Sequence, residues 1–358
     1  MIKIRALRPS ELRQVLTLLN RYSDRESEYS LLKTMQQLYI PMHRVSQLLP
    51  LNLQFMPAIF VAVAEDKVLG MIWLSRDGSH SRRWKIDHLI LDPDSFSYDV
   101  GTQLVNYVIN RYGGDGVQTF LAYVDQHYET GLALLKSCGF RRSARQHYFV
   151  HRNPANLKLP PVTLDGLRDS HNGDCAKLAT LYNDCLPVDA RVGLSKGWRD
   201  FYRPMPLRLI EKTRGAFNRR WVFQDLARDC FIGSVELVTR DYKDFTLHIL
   251  ASPGWQSAYR DLVTYAVQQV LLTTTGATLY VECFEFCKAG LETLEQLGFQ
   301  RLGIAEVLLK DYWIPVEDKG SRLQSPILLF SGRPTPAMNC RIWESAGQPP
   351  EALGGWLD

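Results

Sequence analysis

The chain has 358 residues, 46% of them apolar and 22% charged, with a net charge of +4. Its length favours two domains over one, and its composition excludes wholesale disorder, a collagen-like fibre and a coiled coil. It shows no apolar run of about 18 residues that would suggest a membrane span. MIKIRALRPSELRQ lacks the apolar core of a secretory signal, and so mild a charge does not by itself point to nucleic acid.

In chain order, residues 9–22 carry helical apolar spacing behind a Pro-Ser start signal. Residues 59–65 and 68–75 are apolar, β-branched runs around Asp66-Lys67, which predicts a hairpin. Strands are predicted at 84–91, 119–124 and 142–152, and helices at 100–112 and 129–139, the latter closed by Gly139. The final β-α-β order predicts an α/β sheet of mixed strand direction. NPANLKLPPV at 153–162 holds three prolines and reads as an extended linker. Beyond it, residues 190–220 carry nine Lys/Arg against two Asp/Glu. Residues 326–332 can form an extra strand, and 345–358 read as a loosely held Gly/Pro-rich tail. The seven cysteines are scattered, which argues against a disulfide framework and for thiols in a reducing cytoplasm.

The chain repeats itself once, at an offset of about 160 residues. IDHLILDP (86–93) is matched by TLHILASP (246–253), so that His88 and Pro93 recur as His248 and Pro253. The hairpin glycine Gly70 recurs as Gly233, Gly139-Phe140 as Gly298-Phe299, and the helix end Asn20 as Asn183, all in the same order. Two domains follow, 1–153 and 163–315, with a linker at 154–162 and an unrepeated extension at 316–358.

This order, with its x-Pro strand end, following loop and helix, next strand and helix ending in Gly-Phe, resembles the GNAT superfamily of acetyl-CoA-dependent acyltransferases. The resemblance implies two tandem GNAT-like domains of α/β (α+β) class, each a mixed, mostly antiparallel sheet flanked by helices. It implies acetyl-CoA as acyl donor. The strand before the proline splays from its neighbour, leaving backbone N–H groups for the thioester oxygen. The next loop binds pyrophosphate at a helix N-terminus.

The family's loop motif is Gln/Arg-x-x-Gly-x-Gly/Ala. In the first half it falls on Phe96 to Gly101, keeping only Gly101, with Asp92, Asp94 and Asp99 close by. Like charges oppose a pyrophosphate there. In the second half it falls on Gln256, Ser257, Ala258, Tyr259, Arg260 and Asp261; Gln256 is kept and Arg260 can pair with phosphate. The second half is therefore the expected donor site, with Leu250 and Ala251 facing the thioester and Gln256 to Asp261 lining the pyrophosphate.

The family's thiolate-protonating tyrosine is replaced by Leu135 and Leu294. His88 and His248 are the candidate bases, as histidines titrate near neutral pH, with Glu282 and Glu285 as further candidates. His248 is the expected catalytic group and no metal site is expected. Two readings stay open: an acyl-CoA-dependent N-acyltransferase acting on a small-molecule or protein amine by direct attack, and a catalytically lapsed binding or scaffold protein. The basic segment 190–220 can serve an acidic acceptor, an anionic protein surface or RNA, or form a solvated helix.

Overall fold

The computed structural model describes residues 2–20, 58–78, 82–94, 97–157, 159–204, 217–274 and 276–312. The predicted strand at 326–332, the tail and Cys340 lie outside the described residues. The first half runs β1 (Lys3–Ala6), α1 (Leu12–Asn20), β2 (Ala58–Ala64), β3 (Lys67–Arg76), β4 (Arg83–Leu91), α2 (Ser97–Gly114), β5 (Thr119–Asp125), α3 (Glu129–Ser137) and β6 (Arg141–His151). The second half runs β7 (Leu167–Asp169), α4 (Cys175–Cys185), α5 (Val188–Leu194), α6 (Trp198–Phe201), β8 (Phe217–Asp225), β9 (Cys230–Thr239) and β10 (Asp244–Ala251). It continues with α7 (Ala258–Thr273), β11 (Thr278–Phe284), α8 (Lys288–Gln296) and β12 (Gln300–Asp311).

Local chemistry explains the repeated signals. Gly139 and Gly298 take φ of +83° and +78°, which glycine adopts without a Cβ penalty. The following N–H groups of Phe140 and Phe299 then return to the Leu135 and Leu294 carbonyls at 3.1 and 3.0 Å, closing α3 and α8. The β2–β3 turn sits one residue earlier than expected, on Glu65 and Asp66, both with positive φ, while Lys67 already pairs with Ala64.

All twelve strands form one sheet, ordered β1-β2-β3-β4-β5-β12-β6-β11-β10-β9-β8-β7. The order is palindromic: each strand of the first half has its counterpart at the mirrored position, with the last strand of each half exchanged. β6 pairs with β11, and β12 pairs with β5, both antiparallel, while β6 and β12 pair with each other at the centre. The exchange reaches the cores. Leu308 of β12 is buried among α2 and α3, with Leu104, Val105, Phe120 and Leu135. Phe149 of β6 is buried among α7 and α8, with Tyr259, Val263, Leu294 and Phe299. The linker is not free, since Gln268 of α7 donates to the Pro160 carbonyl at 3.0 Å and Leu157 and Leu159 pack on the second core.

On the opposite sheet face, α5 lies over the centre of the sheet. Leu186, Ala190 and Leu194 bury against Leu121 of β5, Ala144 of β6 and Val307 and Leu309 of β12. A Cβ on Gly193 would fall 1.6 Å from Leu309 Cδ1, so only glycine allows this approach. The second half thereby roofs strands of the first.

His88 is half-buried in β4, edge-on to Trp73 at 5.8 Å between ring centroids. Burial pulls its pKa from 6.5 down to about 4, against the pull of Asp87. The unfolded chain then binds the extra proton first as pH falls, so the stability tied to neutral His88 is present above 6.5 and lost on descending towards 4. Urea unfolding should lose up to about 3 kcal/mol from this group across that window. His88→Gln should flatten that part of the profile, and an unchanged acid slope would contradict the assignment.

Candidate functional site

In the second half, β10 and β11 run parallel and in register from Asp244 and Thr278 as far as Leu247 and Val281. Beyond that point each follows a different neighbour. β10 stays with β9 to Ala251 opposite Gly233, and β11 stays with β6 to Phe284 opposite Gln146. The strands fork, and His248 and Glu282 are the first residues past the fork on either side.

The direction of the backbone groups follows from the ladder. Ser252 donates to Ile232 at 2.7 Å, continuing the β9 register, and Thr278 donates to the Lys243 carbonyl at 2.7 Å. Alternation then turns the even-numbered groups of β10, Leu250 among them, to β9. The odd-numbered groups, Ile249 and Ala251, face the gap. Of the two expected backbone donors, Ala251 faces the gap and Leu250 faces β9.

A cavity of about 570 Å³ passes through the fork. At one end it is lined by Ala251, Pro253, Gln256, Tyr259, Cys283, Cys287 and Ala289, beside α7 and α8. At the other end it is lined by His248, Glu282 and Glu236 together with Tyr123, Gln146 and Tyr148 of the first half. His248, Leu250, Ala251, Gln256 and Tyr259 thus meet in one space, whereas Ser257, Ala258, Arg260 and Asp261 do not line it. Ser257 precedes α7 without capping it through its side chain, which leaves N-terminal N–H groups to find another acceptor. Arg260 is exposed and donates to Gln296 Oε1 at 3.2 Å. Asp261 lies half-buried in the first turn. Tyr259 is fully buried, with its ring against the Cys283 and Cys287 sulfurs, and burial pushes its hydroxyl well up.

The thiols at this end are unequal. A Cβ on Gly290 would meet Cys287 Sγ at 2.8 Å and Cys283 Sγ at 3.0 Å, so the two sulfurs share one small space at the start of α8. A hydrogen bond from Cys283 and the Gly290 N–H pull the Cys287 thiol down, while that shared bond and burial push Cys283 up. Burial also raises Cys185, whose Sγ lies 3.2 Å from the Ala251 carbonyl. None of the six described cysteines forms a disulfide.

At the other end most charges pair off. Glu236 lies opposite His248 in the sheet and accepts from Arg220 at 2.7 Å and from Arg203. These arginines offset the cost of burying it and hold its carboxyl below the usual range, so it is a fixed anion rather than a proton acceptor. Much of the basic segment's charge is therefore spent on the protein itself, since Arg219 also pairs with Asp169 and Arg191 with Asp184. Residues 205–216 of that segment lie outside the described residues.

The first half forks too, beyond Ile86 and Ala122, but is furnished differently. Leu91 stands where the second half has Ala251. A Cβ added to Gly70 or Gly101 would meet the Leu91 side chain at 2.8 and 2.9 Å, so Leu91 occupies the space between strand and helix. Asp92 is buried and pairs with Lys67 at 2.6 Å. Among the described residues no cluster fits a metal ion, and no helix is long and apolar enough to cross a membrane.

Comparison with known proteins bears on the fold. The model of the acetyltransferase (GNAT) family matches residues 25–140. The chain is similar to a tandem GNAT protein from the clavulanic acid biosynthesis pathway, solved without acetyl-CoA, with 14% identity and a TM-score of 0.56 over 88% of this chain and 99% of that one. It is also similar to a GCN5-related N-acetyltransferase from Sphaerobacter thermophilus, with 12% identity and a TM-score of 0.54 over 87% and 96% of the two chains. No curated protein matches it.

Proposed function

We propose that this chain, whose residues 25–140 match the GNAT family model and whose fold is that of a tandem GNAT protein, is an acyl-CoA-dependent N-acyltransferase whose working site is the fork of the second half. The observation that carries this reading is the cavity running through that fork from α7 to the His248–Glu282 pair. Acetyl-CoA fits it as donor. The α7 N-terminus beside Gln256 offers uncapped N–H groups to pyrophosphate. The Ile249 and Ala251 amides face the gap where a thioester carbonyl gains charge as it is attacked. A small Ala251 in place of Leu91 leaves room for the pantetheine arm.

The amine enters from the opposite end. Glu282 attracts it as an ammonium and His248 takes the proton that must leave before nitrogen attacks. The nitrogen forms its bond to the acyl carbon, the thioester C–S bond breaks, and the second proton lost by the nitrogen goes to the departing CoA thiolate. The free thiols suit a cytoplasmic protein.

Thiol release from acetyl-CoA tests this. His248→Ala should lower kcat for amine acetylation about 10- to 100-fold with little change in KM for acetyl-CoA. Full activity would return His248 to a structural role. A lapsed scaffold is the second reading, favoured by Leu294 being buried in the apolar core at the family's acid position. Thiol release from no amine would support it.

A further inference from the structure

The amine end of the cavity carries more charge than a simple amine needs. From the first half come Asp77, Arg83 and Lys85; from the second come Lys196, Asp200, Arg220, Glu236 and Glu282. Most are already engaged. Arg83 pairs with Asp77 at 2.5 Å and donates to the Ser195 carbonyl at 2.7 Å. Lys85 pairs with Asp87 at 3.1 Å. Arg220 and Arg203 hold Glu236, and Asp200 accepts the Gly197 N–H at 2.8 Å.

Two groups stand apart. Glu282 accepts from the Gln146 amide at 2.8 Å, and no cation pairs with it among the described residues. Lys196 has its ammonium over the Tyr182 ring, 4.6 Å from the centroid, and no carboxylate pairs with it among the described residues. Lys196 is also held in place. Its N–H donates to Asn183 Oδ1 and its carbonyl accepts from Asn183 Nδ2, both at 2.9 Å. The cavity thus offers Glu282 at the fork and Lys196 on the roof, neither with an oppositely charged partner among the described residues. A ligand bearing the opposite pair of charges completes both.

We infer that the acceptor is a zwitterion, an amine that also carries a carboxylate or other anionic group, with Glu282 taking the ammonium and Lys196 the anion. This rests on the acyltransferase reading above and names its substrate class. Lys196 is a specificity-determining residue in it. The Lys196 cation does not touch the reacting atoms, so its loss raises KM for such acceptors and leaves kcat nearly unchanged.

The test uses the full chain with acetyl-CoA and the protein amino acids, β-alanine and γ-aminobutyrate. It compares them with their methyl esters, which lose the anion, and their N-acetyl forms, which lose the amine. At least one free zwitterion should release CoA with kcat/KM about tenfold or more above its ester. Lys196→Met should abolish that preference through KM, and Lys196→Arg should restore it. Esters or plain alkylamines acetylated as well as the zwitterions, with Lys196→Met silent, would overturn this inference while leaving the acyltransferase reading intact. If no amine releases CoA, calorimetry of the same amino acids decides. Binding weakened in Lys196→Met and Glu282→Gln supports the zwitterion site, and no binding to the wild type overturns it.

Discussion

Replacing Glu282 by glutamine is expected to lower kcat/KM for the amine about 100-fold or more while leaving the affinity for acetyl-CoA unchanged. The change is nearly isosteric, and the amide oxygen it introduces can still accept from Gln146, so the β6–β11 pairing at Tyr148 is preserved. Only the charge is lost, at the first residue beyond the fork, where an incoming ammonium has no other unpaired carboxylate among the described cavity residues. Steady-state kinetics separate the outcomes. A loss confined to the amine terms supports the assignment, and an equal loss of donor affinity would place Glu282 on the donor side instead.

Phe149→Ala is expected to destabilise the second half, although Phe149 belongs to the first by sequence. Its side chain is fully buried among residues of α7 and α8, and truncating such a phenylalanine costs roughly 3–5 kcal/mol. Native-state hydrogen exchange should therefore show protection falling first in α7 and α8. Leu308→Ala should do the reverse, loosening α2 and α3, whose core Leu308 completes. Chains cut within 153–162 should fail to fold alone, since each fragment keeps the strand that the other's core requires. Protection lost in α2 and α3 on Phe149→Ala would refute the exchange.

The repeat was legible because glycine and proline mark it. The Gly-Phe pairs close two helices by the same positive-φ turn, and the x-Pro pairs end two corresponding strands. The helices and long strands of the first half were read to within a few residues from periodicity alone. The short edge strands β1 and β7 were missed. KIRA and LRD are too short and too charged to show an alternation, and their pairing is set by β2 and β8. The strand exchange left no trace either, because β6 and β12 carry the same pattern whichever half they join.

The candidate site was legible on its donor side, where Gln256 and Ala251 are placed by counting from a proline. Ile249 could have been found by the same counting, since backbone groups alternate along a strand. Tyr123, Gln146 and Tyr148 could not, because only the exchange brings first-half strands to a second-half cavity. The excess charge of 190–220 pointed to an acidic acceptor, yet Arg203 and Arg220 are consumed by Glu236. The single cation from this segment that lines the cavity unpaired, among the described residues, is Lys196.

One donor site per chain, in the second half, is the claim on which the rest stands, and calorimetric titration with acetyl-CoA tests it most directly. Arg260 is exposed in the first turn of α7, so Arg260→Glu adds a negative charge beside the proposed pyrophosphate without disturbing a core. Asp99 is exposed in the first turn of α2. The wild type and Asp99→Lys should each bind one acetyl-CoA per chain with the same affinity, and Arg260→Glu should bind none measurably. Two sites per chain, or binding that survives Arg260→Glu and changes in Asp99→Lys, would contradict the account.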